Sequence, residues 1–341
     1  MALALAAELL DRARELEARS RGLPDGVFVS KSIGGRSYWY LQTSGAGIRH
    51  QRYLGADSEE LAAAREKIEI RRAELEPDRR RLEALNDAIV ASGATPESPA
   101  ATRVLELLAS AGFFRAGAVL VGTRAFGALA ARFGFRASAL ARTQDFDLAI
   151  DPAVALAFPR DAARELPALL EAEDAAFAPV PELDPRRPST SFRIRGRELR
   201  VDFLTPLRGR ESENPVVLKG LGLAATPLRH LDYLMEESDA AVAVGSRPVL
   251  VRVPHPGRFA LHKLAIAGRR PAGDAARTRK DREQAAALIE VLLEDRPDDL
   301  DQAASALLRR QKLLASARAA SARLPAELRV EMKKLWSRIE R

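Results

Sequence analysis

Hydrophobic residues at both ends of the chain recur with the spacing of amphipathic helices. Residues 2–20 carry leucines at helical intervals and predict a first helix, which ends before Gly22 and Pro24. The chain after Pro256 keeps the same periodicity almost to its last residue. It predicts further helices at 258–267, 279–294, 300–320 and 325–341.

Short β-prone runs replace this periodicity in residues 27–55. Glycines at 34–35 and in the segment 44–47 separate three such runs, which predicts a three-stranded meander. Aromatic and basic residues alternate along it: Lys31, Arg36, Tyr38, Trp39, Tyr40, Arg49, Arg52 and Tyr53. Two interpretations stay open. Such side chains can bind nucleic acid by stacking and phosphate contact, or the aromatic rings can form the core of a small sheet.

Helices and strands mix between residues 57 and 254. Asp57 or Ser58 can cap a charged helical connector that reaches about residue 90, and "SGATPESPA" at 92–100 has the composition of a linker. The pattern that follows predicts helices at 102–111, 123–135 and 162–171, strands at 118–121, 146–150 and 247–256, and a hairpin at 191–206 that turns at 195–197.

These elements predict an α/β (α+β) protein in four parts. An N-terminal helix and β-meander occupy 1–56, and a helical connector with its linker occupies 57–99. A core with a mixed β-sheet flanked by helices spans 100–256, and a C-terminal helical domain spans 257–341.

Composition excludes several classes of protein. The chain has no cysteine, so disulfides and thiolate metal sites are excluded, and four histidines make a His-rich zinc site a poor fit. No apolar run is long enough to span a membrane, and the acidic residues from Glu8 onward do not fit a secretion signal. We therefore expect a cytoplasmic protein. The net charge of +7 agrees with a phosphate-bearing partner. The high arginine and alanine content that a GC-rich genome produces also explains it.

Candidate chemistry begins where a predicted strand becomes a helix, at Gly122 and Thr123. Glycine lets a ligand approach the backbone, and a helix N-terminus presents unpaired N–H groups to an anion. Asp145 and Asp147 follow on the next strand and point to one face, because strand side chains alternate. Two adjacent carboxylates repel each other, so this spacing suggests a metal ion between them. Asp202 lies in an apolar strand, either as a third carboxylate or as a cap near the strand end.

Basic residues dominate the stretch from Lys263 to Arg282. Only Asp274 and Asp281 oppose seven lysines and arginines there, so the stretch is suited to balancing a triphosphate. Lys263 is our first candidate for phosphate contact and Arg270 the second. Asp281 either orients Lys263 or a base, or forms an ordinary salt bridge within the helices. His262 and His255 fit packed, structural roles better than catalytic ones.

Gly-Thr before a helix, Asp-x-Asp on the next strand and a later single aspartate resemble the DNA polymerase β-type nucleotidyltransferase superfamily. The segments "VPHPGRFALHKLAIAGRR" and "RTRKDREQAAAL" are similar to a bacterial branch of nucleotidyltransferase-fold proteins near the abortive-infection and toxin nucleotidyltransferases. The resemblance covers about residues 100–290. More residues separate Gly122 from Asp145 than in many members, and threonine replaces serine after the glycine.

The resemblance implies catalytic and metal-binding roles for Asp145, Asp147 and Asp202. The first two would share Mg²⁺ or Mn²⁺, and Asp202 would hold the ion that activates an acceptor hydroxyl. Gly122 and Thr123 would bind the phosphates of an NTP such as ATP, together with Lys263, Arg270 and Asp281.

Three functional hypotheses follow. The first is metal-dependent transfer of an NMP from an NTP to a hydroxyl of RNA or tRNA, a protein or a small molecule. The alternative is an inactive nucleotide- or nucleic-acid-binding regulator with the transferase fold. The third narrows the first to a toxin or defence effector, in which the meander selects the acceptor. The identity of the NTP and the oligomeric state are not encoded in any pattern we recognise.

Overall fold

The computed structural model describes residues 2–340 except 25, 46–47, 138–142, 156–176, 182–183, 185, 195–197, 220 and 271. Its strands are β1 Val27–Ile33, β2 Arg36–Gly45, β3 Ile48–Ala56, β4 Val119–Val121, β5 Asp145–Ala149, β6 Phe177–Pro179, β7 Ser191–Ile194, β8 Arg200–Pro206, β9 Val216–Leu218, β10 Leu223–Leu228, β11 Ser238–Ala243 and β12 Val249–Pro254. Its α-helices are α1 Ala2–Ser20, α2 Glu59–Ala91, α3 Pro99–Ser110, α4 Phe113–Ala116, α5 Gly122–Arg132, α6 Pro152–Ala155, α7 Leu231–Met235, α8 Pro256–Ala267, α9 Ala275–Asp295, α10 Pro297–Leu307, α11 Gln311–Ser321 and α12 Ala326–Ile339.

Two antiparallel helices connect the meander to the rest of the chain. Strands β1, β2 and β3 pair in sequence order, as predicted. The Ser58 side chain caps α2 by accepting the backbone N–H of Leu61. Helices α1 and α2 then pack together, and their apolar faces join Ala131 and Val242 in a small buried cluster. This cluster fixes the helix pair on the central core.

Among the described residues, a mixed seven-stranded sheet forms the centre of the chain. Its main path runs β4-β5-β8-β10-β9, and β7 pairs with the first half of β8 and with β6. Strands β4 and β5 are antiparallel, whereas β5 and β8, and β8 and β10, are parallel. The sheet with its flanking helices confirms the predicted fold class.

The C-terminal helices share the core of the central sheet. Phe126 of α5 stacks on Phe259 of α8 with ring centroids 6.3 Å apart, and one buried cluster extends from α3 to α12. The single helix predicted at 300–320 is wrong, because α10 and α11 are separate. Arg310 lies between them with non-helical dihedral angles, and its side chain pairs with Asp232 and Glu236.

Two sequence predictions fall outside the described residues, namely the helix at 162–171 and the turn at 195–197. The division into four domains stays a prediction. Within the described ranges, none of the helices combines the length and apolar character that crossing a membrane requires.

Candidate active site

Gly122 forms the turn between β4 and α5 and lies directly against a carboxylate. Its φ of +67° is in the left-handed region, which glycine adopts without steric cost. A Cβ atom built on Gly122 would lie 2.1 Å from Oδ2 of Asp147, with no room for both. Any residue other than glycine would therefore displace the Asp147 side chain.

Strand pairing brings the predicted aspartates together. Asp147 lies opposite Val121 on β4 and opposite Asp202 on β8, so the two aspartates are neighbours on adjacent parallel strands. Such strands are about 4.8 Å apart. Asp145 precedes Asp147 by two residues on β5 and shares its face. The structure thus brings Asp145, Asp147 and Asp202 to one face of the sheet, beside Gly122.

The electrostatic environment of Asp147 is unfavourable to its own negative charge. Burial and the neighbouring Asp202 raise the pKa of Asp147 to about 6, and Asp145 adds to the effect. Lys263 and Arg124 act in the opposite direction and lower it. A carboxylate in these surroundings gains from an added cation, because a cation offsets the repulsion between like charges.

Asp202 is held by two polar neighbours. Its Oδ1 accepts hydrogen bonds from Ser191 Oγ and from Arg200 Nε, the latter at 2.6 Å. Because β8 continues to Pro206, Asp202 lies within the strand and does not cap its end. Among the described residues, no group of three His, Asp or Glu side chains already has the arrangement of a metal site. The chemistry of the donors nevertheless fits Mg²⁺, which prefers carboxylate oxygens.

A compact ion-pair network lies next to the aspartates. Asp281 on α9 accepts from Lys263 Nζ and Arg270 Nε, each at 2.7 Å. Burial would raise the pKa of Asp281, but Lys263 and Arg270 hold it below its usual value. The network therefore links α8 to α9 and does not lie within one helix. It also places Lys263 close enough to affect Asp147.

Lys280 is a second lysine at this site. Burial lowers the pKa of Lys280, nearby Lys263 lowers it further, and Asp281 and Asp145 act to raise it. The sequence includes Lys280 in the basic stretch but gives no reason to single it out.

Arg124 is a site residue that the sequence analysis missed. It lies in the first turn of α5 with only 4% of its side chain exposed. Its guanidinium donates to the backbone carbonyls of Thr143 and Asp145, pairs with Glu97 and stacks on the Phe146 ring at 3.7 Å. Arg124 thereby fixes the start of β5, from which Asp145 and Asp147 project.

The remaining candidates occupy simpler positions. Thr123 follows Gly122 in the first turn of α5 and is partly buried. His262 has a buried Nε2 atom, and burial lowers its pKa to about 3, so its ring is neutral. His255 is buried opposite Asp299. Both rings are packed within the fold, and their structural rather than catalytic role stays a prediction.

A family model described as Nucleotidyltransferase matches residues 100–309, more than half of the chain. The chain belongs to this nucleotidyltransferase family. Neither the curated proteins nor the solved structures include a match to the chain. The matched segment contains Gly122, all three aspartates and the Lys263–Asp281 network. The protein is a nucleotidyltransferase enzyme.

We expect Gly122→Ala to impair both the stability and the activity of this nucleotidyltransferase. Alanine is strained at positive φ by about 1–2 kcal/mol, and its Cβ would also displace the Asp147 carboxylate. We expect a total loss of about 2–4 kcal/mol in the free energy of unfolding, and a fall in kcat of about 100-fold. Urea unfolding and nucleotidyl transfer assays measure the two effects.

Gly209→Ala is the matched control for this variant. Gly209 has a φ of +82°, but nothing lies within 4 Å of its would-be Cβ. The Gly209→Ala variant should lose only the part of the free energy of unfolding that comes from backbone strain, and it should keep its activity. Equal losses in both variants would show that the contact with Asp147 is unimportant.

Arg124→Met is expected to loosen the start of β5 in the enzyme. Methionine keeps much of the side-chain volume but leaves Glu97 without its buried partner, which typically costs about 3–5 kcal/mol. We also expect kcat to fall about tenfold or more at a temperature where the variant stays folded, because Asp145 and Asp147 lose their support. Arg132→Met on the same helix removes another partly buried ion pair, with Asp239, which keeps Arg14 as a second partner. If kcat falls by the same factor in both variants, Arg124 has no specific role in positioning Asp145 and Asp147.

Proposed function

We propose that the enzyme transfers a nucleoside monophosphate from an NTP to a hydroxyl group, with Mg²⁺ or Mn²⁺ as cofactor. The observation that carries this proposal is the alignment of Asp147 with Asp202 on adjacent strands beside Gly122. Asp145 completes a set of three carboxylates on one face. Membership of the nucleotidyltransferase family supports an enzyme over an inactive regulator.

The three aspartates would hold the divalent cation. The raised pKa of Asp147 supports this role, because its causes include the negative charges of Asp202 and Asp145 next to a buried carboxyl group. When bound, a divalent cation neutralises phosphate charge and favours loss of the proton from the acceptor hydroxyl. Arg200 and Ser191 orient Asp202 through hydrogen bonds to its Oδ1 atom.

The triphosphate would extend between the N-terminus of α5 and the Lys263 network. Gly122 and Thr123 offer backbone N–H groups at a helix start, where an anion is favoured. Lys263 and Arg270 both pair with Asp281, and Arg270 also lies 3.8 Å from the more exposed Asp274. With the nearby Lys280, the cations outnumber these two carboxylates by one, which leaves positive charge for phosphate. Asp281 keeps the Lys263 ammonium in place.

The proposed reaction forms one bond and breaks one. The acceptor oxygen attacks the α-phosphorus of the NTP, and the bond from that phosphorus to the α–β bridging oxygen breaks. Pyrophosphate leaves with the bonding electron pair, and the proton of the acceptor hydroxyl passes to solvent. The products are the nucleotidylated acceptor and pyrophosphate.

Two positions of the radioactive label test this reaction. The enzyme is incubated with Mg²⁺, cell extract and each NTP, labelled at either the α- or the γ-phosphate. We expect the α label on macromolecule or metabolite and the γ label in pyrophosphate, with both lost in EDTA. Transfer of the γ label would indicate a kinase. If none of the labelled NTPs gives a labelled product, the proposal is refuted. Mass spectrometry of labelled RNA, protein and metabolites then identifies the acceptor.

A toxin or defence role is a narrower proposal, which rests on the sequence resemblance to abortive-infection and toxin nucleotidyltransferases. It requires that induced expression of the enzyme arrests bacterial growth and that Asp147→Asn abolishes the arrest. Normal growth with fully active enzyme would remove this role and leave the proposed reaction untouched.

A further inference from the structure

The two faces of the N-terminal sheet differ in what they contact. On the inner face, Trp39 lies under the Arg65 guanidinium at 3.1 Å and donates to Asp57, and Phe28 lies beneath Arg72. Leu41 on this face is buried. The inner face is therefore occupied by α2, which accounts for part of the aromatic content without any partner.

Three tyrosines form a cluster on the opposite, outer face. The Tyr53 ring lies 5.5 Å from that of Tyr40 and 6.2 Å from that of Tyr38. Tyr53 is 56% exposed, although large aromatic side chains usually bury most of their surface. The protein has four tyrosines, so three of them are on this one small face. General compositional drift does not explain such concentration.

The outer face also carries positive charge and no negative charge. Lys31 lies over the Tyr40 ring at 4.9 Å, and Arg36 shares the face because it is two residues before Tyr38 on β2. From residue 26 to residue 56 the sequence contains no aspartate or glutamate. Arg49 lies where the structure does not describe side chains. The exposed Tyr53 ring, its half-buried tyrosine neighbours and the nearby cations suit an anionic partner that has flat groups to stack.

Hydrogen-bonding groups on the same face favour RNA among such partners. Gln51 donates to Gln42 at 2.7 Å across the strands, and the tyrosine hydroxyls add further donors and acceptors. A ribose 2′-hydroxyl can both donate and accept, and unpaired bases stack on exposed aromatic side chains of β-sheets. We propose that the outer face, comprising Lys31, Arg36, Tyr38, Tyr40 and Tyr53, binds single-stranded RNA.

The outer face would hold an RNA acceptor for reaction at the three aspartates, and this role in the reaction rests on the proposed function. RNA binding itself does not require the transfer reaction. The two can fail separately: wild-type protein that binds RNA but transfers no nucleotide would refute the proposed function alone. Deleting residues 1–56 is a poor test, because Leu9 and Leu10 of α1 pack with Ala131 and Val242 of the core.

Point variants on the outer face give a cleaner test. Binding of the full-length protein to a fluorescent, mixed-sequence oligoribonucleotide of about 15 nucleotides is measured by anisotropy without NTP. Tyr40→Ala and Tyr53→Ala should each weaken binding by about tenfold. The phenylalanine variants keep the ring but lose the hydroxyl, so they should keep most of the affinity and lose part of the preference for RNA over DNA. Lys31→Ala should also reduce the dependence of binding on salt. Arg80→Ala removes another exposed positive charge, on α2, and should change neither quantity.

Three results would overturn the proposal. Wild-type protein with no affinity for the RNA would do so, and so would tyrosine variants that bind RNA normally. Equal affinity for DNA of the same sequence would reject the assignment to RNA. If the alanine variants instead change the oligomeric state seen by light scattering, with RNA binding intact, the face is an interface between copies of the chain. Circular dichroism verifies that each variant is folded.

Discussion

Asp147→Asn is expected to reduce nucleotidyl transfer by about 1,000-fold or more while the protein stays folded. Asparagine has nearly the same shape as aspartate, so the contact with Gly122 and the pairing of β4, β5 and β8 can persist. What disappears is the negative charge between Asp145 and Asp202. The assay measures label from an α-labelled NTP at saturating Mg²⁺, and unfolding curves confirm the fold.

Asp151→Asn is the matched control for Asp147→Asn. Asp151 follows the other end of the same strand, where it accepts from the backbone of Ala153 and pairs with Arg208. Asparagine can still accept from Ala153, so we expect transfer close to wild type. Normal transfer by the Asp147 variant would remove this residue from the active site, and an equal loss in the control would indicate a general disturbance of β5.

Asp147 should also make the stability of the metal-free protein depend on pH. The pKa of Asp147 rises from 3.8 to about 6 on folding, chiefly by burial and then by Asp202. The folded state therefore holds the proton more tightly, and stability falls as pH rises from about 4 through about 6. The loss is at most about 3 kcal/mol. Urea unfolding in EDTA should show that the free energy of unfolding of wild type falls over this pH range. The Asp147→Asn variant should lack this contribution, so its free energy of unfolding should depend less on pH.

Added Mg²⁺ gives the complementary measurement. A ligand that binds only the folded state stabilises it by mass action. At about pH 8, where Asp147 is ionised, Mg²⁺ should raise the melting temperature of wild type and change that of Asp147→Asn much less. Equal shifts in the two proteins would show that Asp147 does not hold the cation.

Local patterns were sufficient to predict much of the architecture. The meander, α2 with its Ser58 cap, and the strand-to-helix turn at Gly122 depend on short-range signals of spacing and turn chemistry, and each is present. The proximity of Asp147 and Asp202 was also predictable, because a carboxylate in an apolar strand is costly unless it is paired or binds a metal ion. Their catalytic roles remain predictions.

Features decided by distant contacts were not predictable. Arg124 resembles an ordinary helix cation in the sequence, since its partners Glu97 and Thr143 come from other segments. The break at Arg310 has no glycine or proline and is set by pairing with Asp232 on α7. The strands between 216 and 243 are short apolar runs, whose periodicity does not distinguish a buried strand from a helix.

Lys263→Met is expected to lower kcat/KM for the NTP by about 100-fold or more, because the proposed phosphate cation is lost. It should also destabilise the protein by about 1–3 kcal/mol, since Asp281, with 6% of its side chain exposed, loses one of the two cations that donate hydrogen bonds to it. Activity and stability therefore fall together in this variant. Alone it cannot distinguish a residue that binds substrate from one that only supports the fold.

The double variant Lys263→Met/Asp281→Asn separates the two roles. Removing the Asp281 charge relieves the poorly compensated buried carboxylate, so the double variant should recover part of the stability that Lys263→Met loses. Transfer should remain low, because the Lys263 ammonium proposed to bind the phosphates is absent. Unfolding free energies and kcat/KM of the four proteins complete the cycle. If transfer returns along with stability, Lys263 serves only to neutralise Asp281, and the phosphates must be bound by other residues such as Arg270 or Lys280.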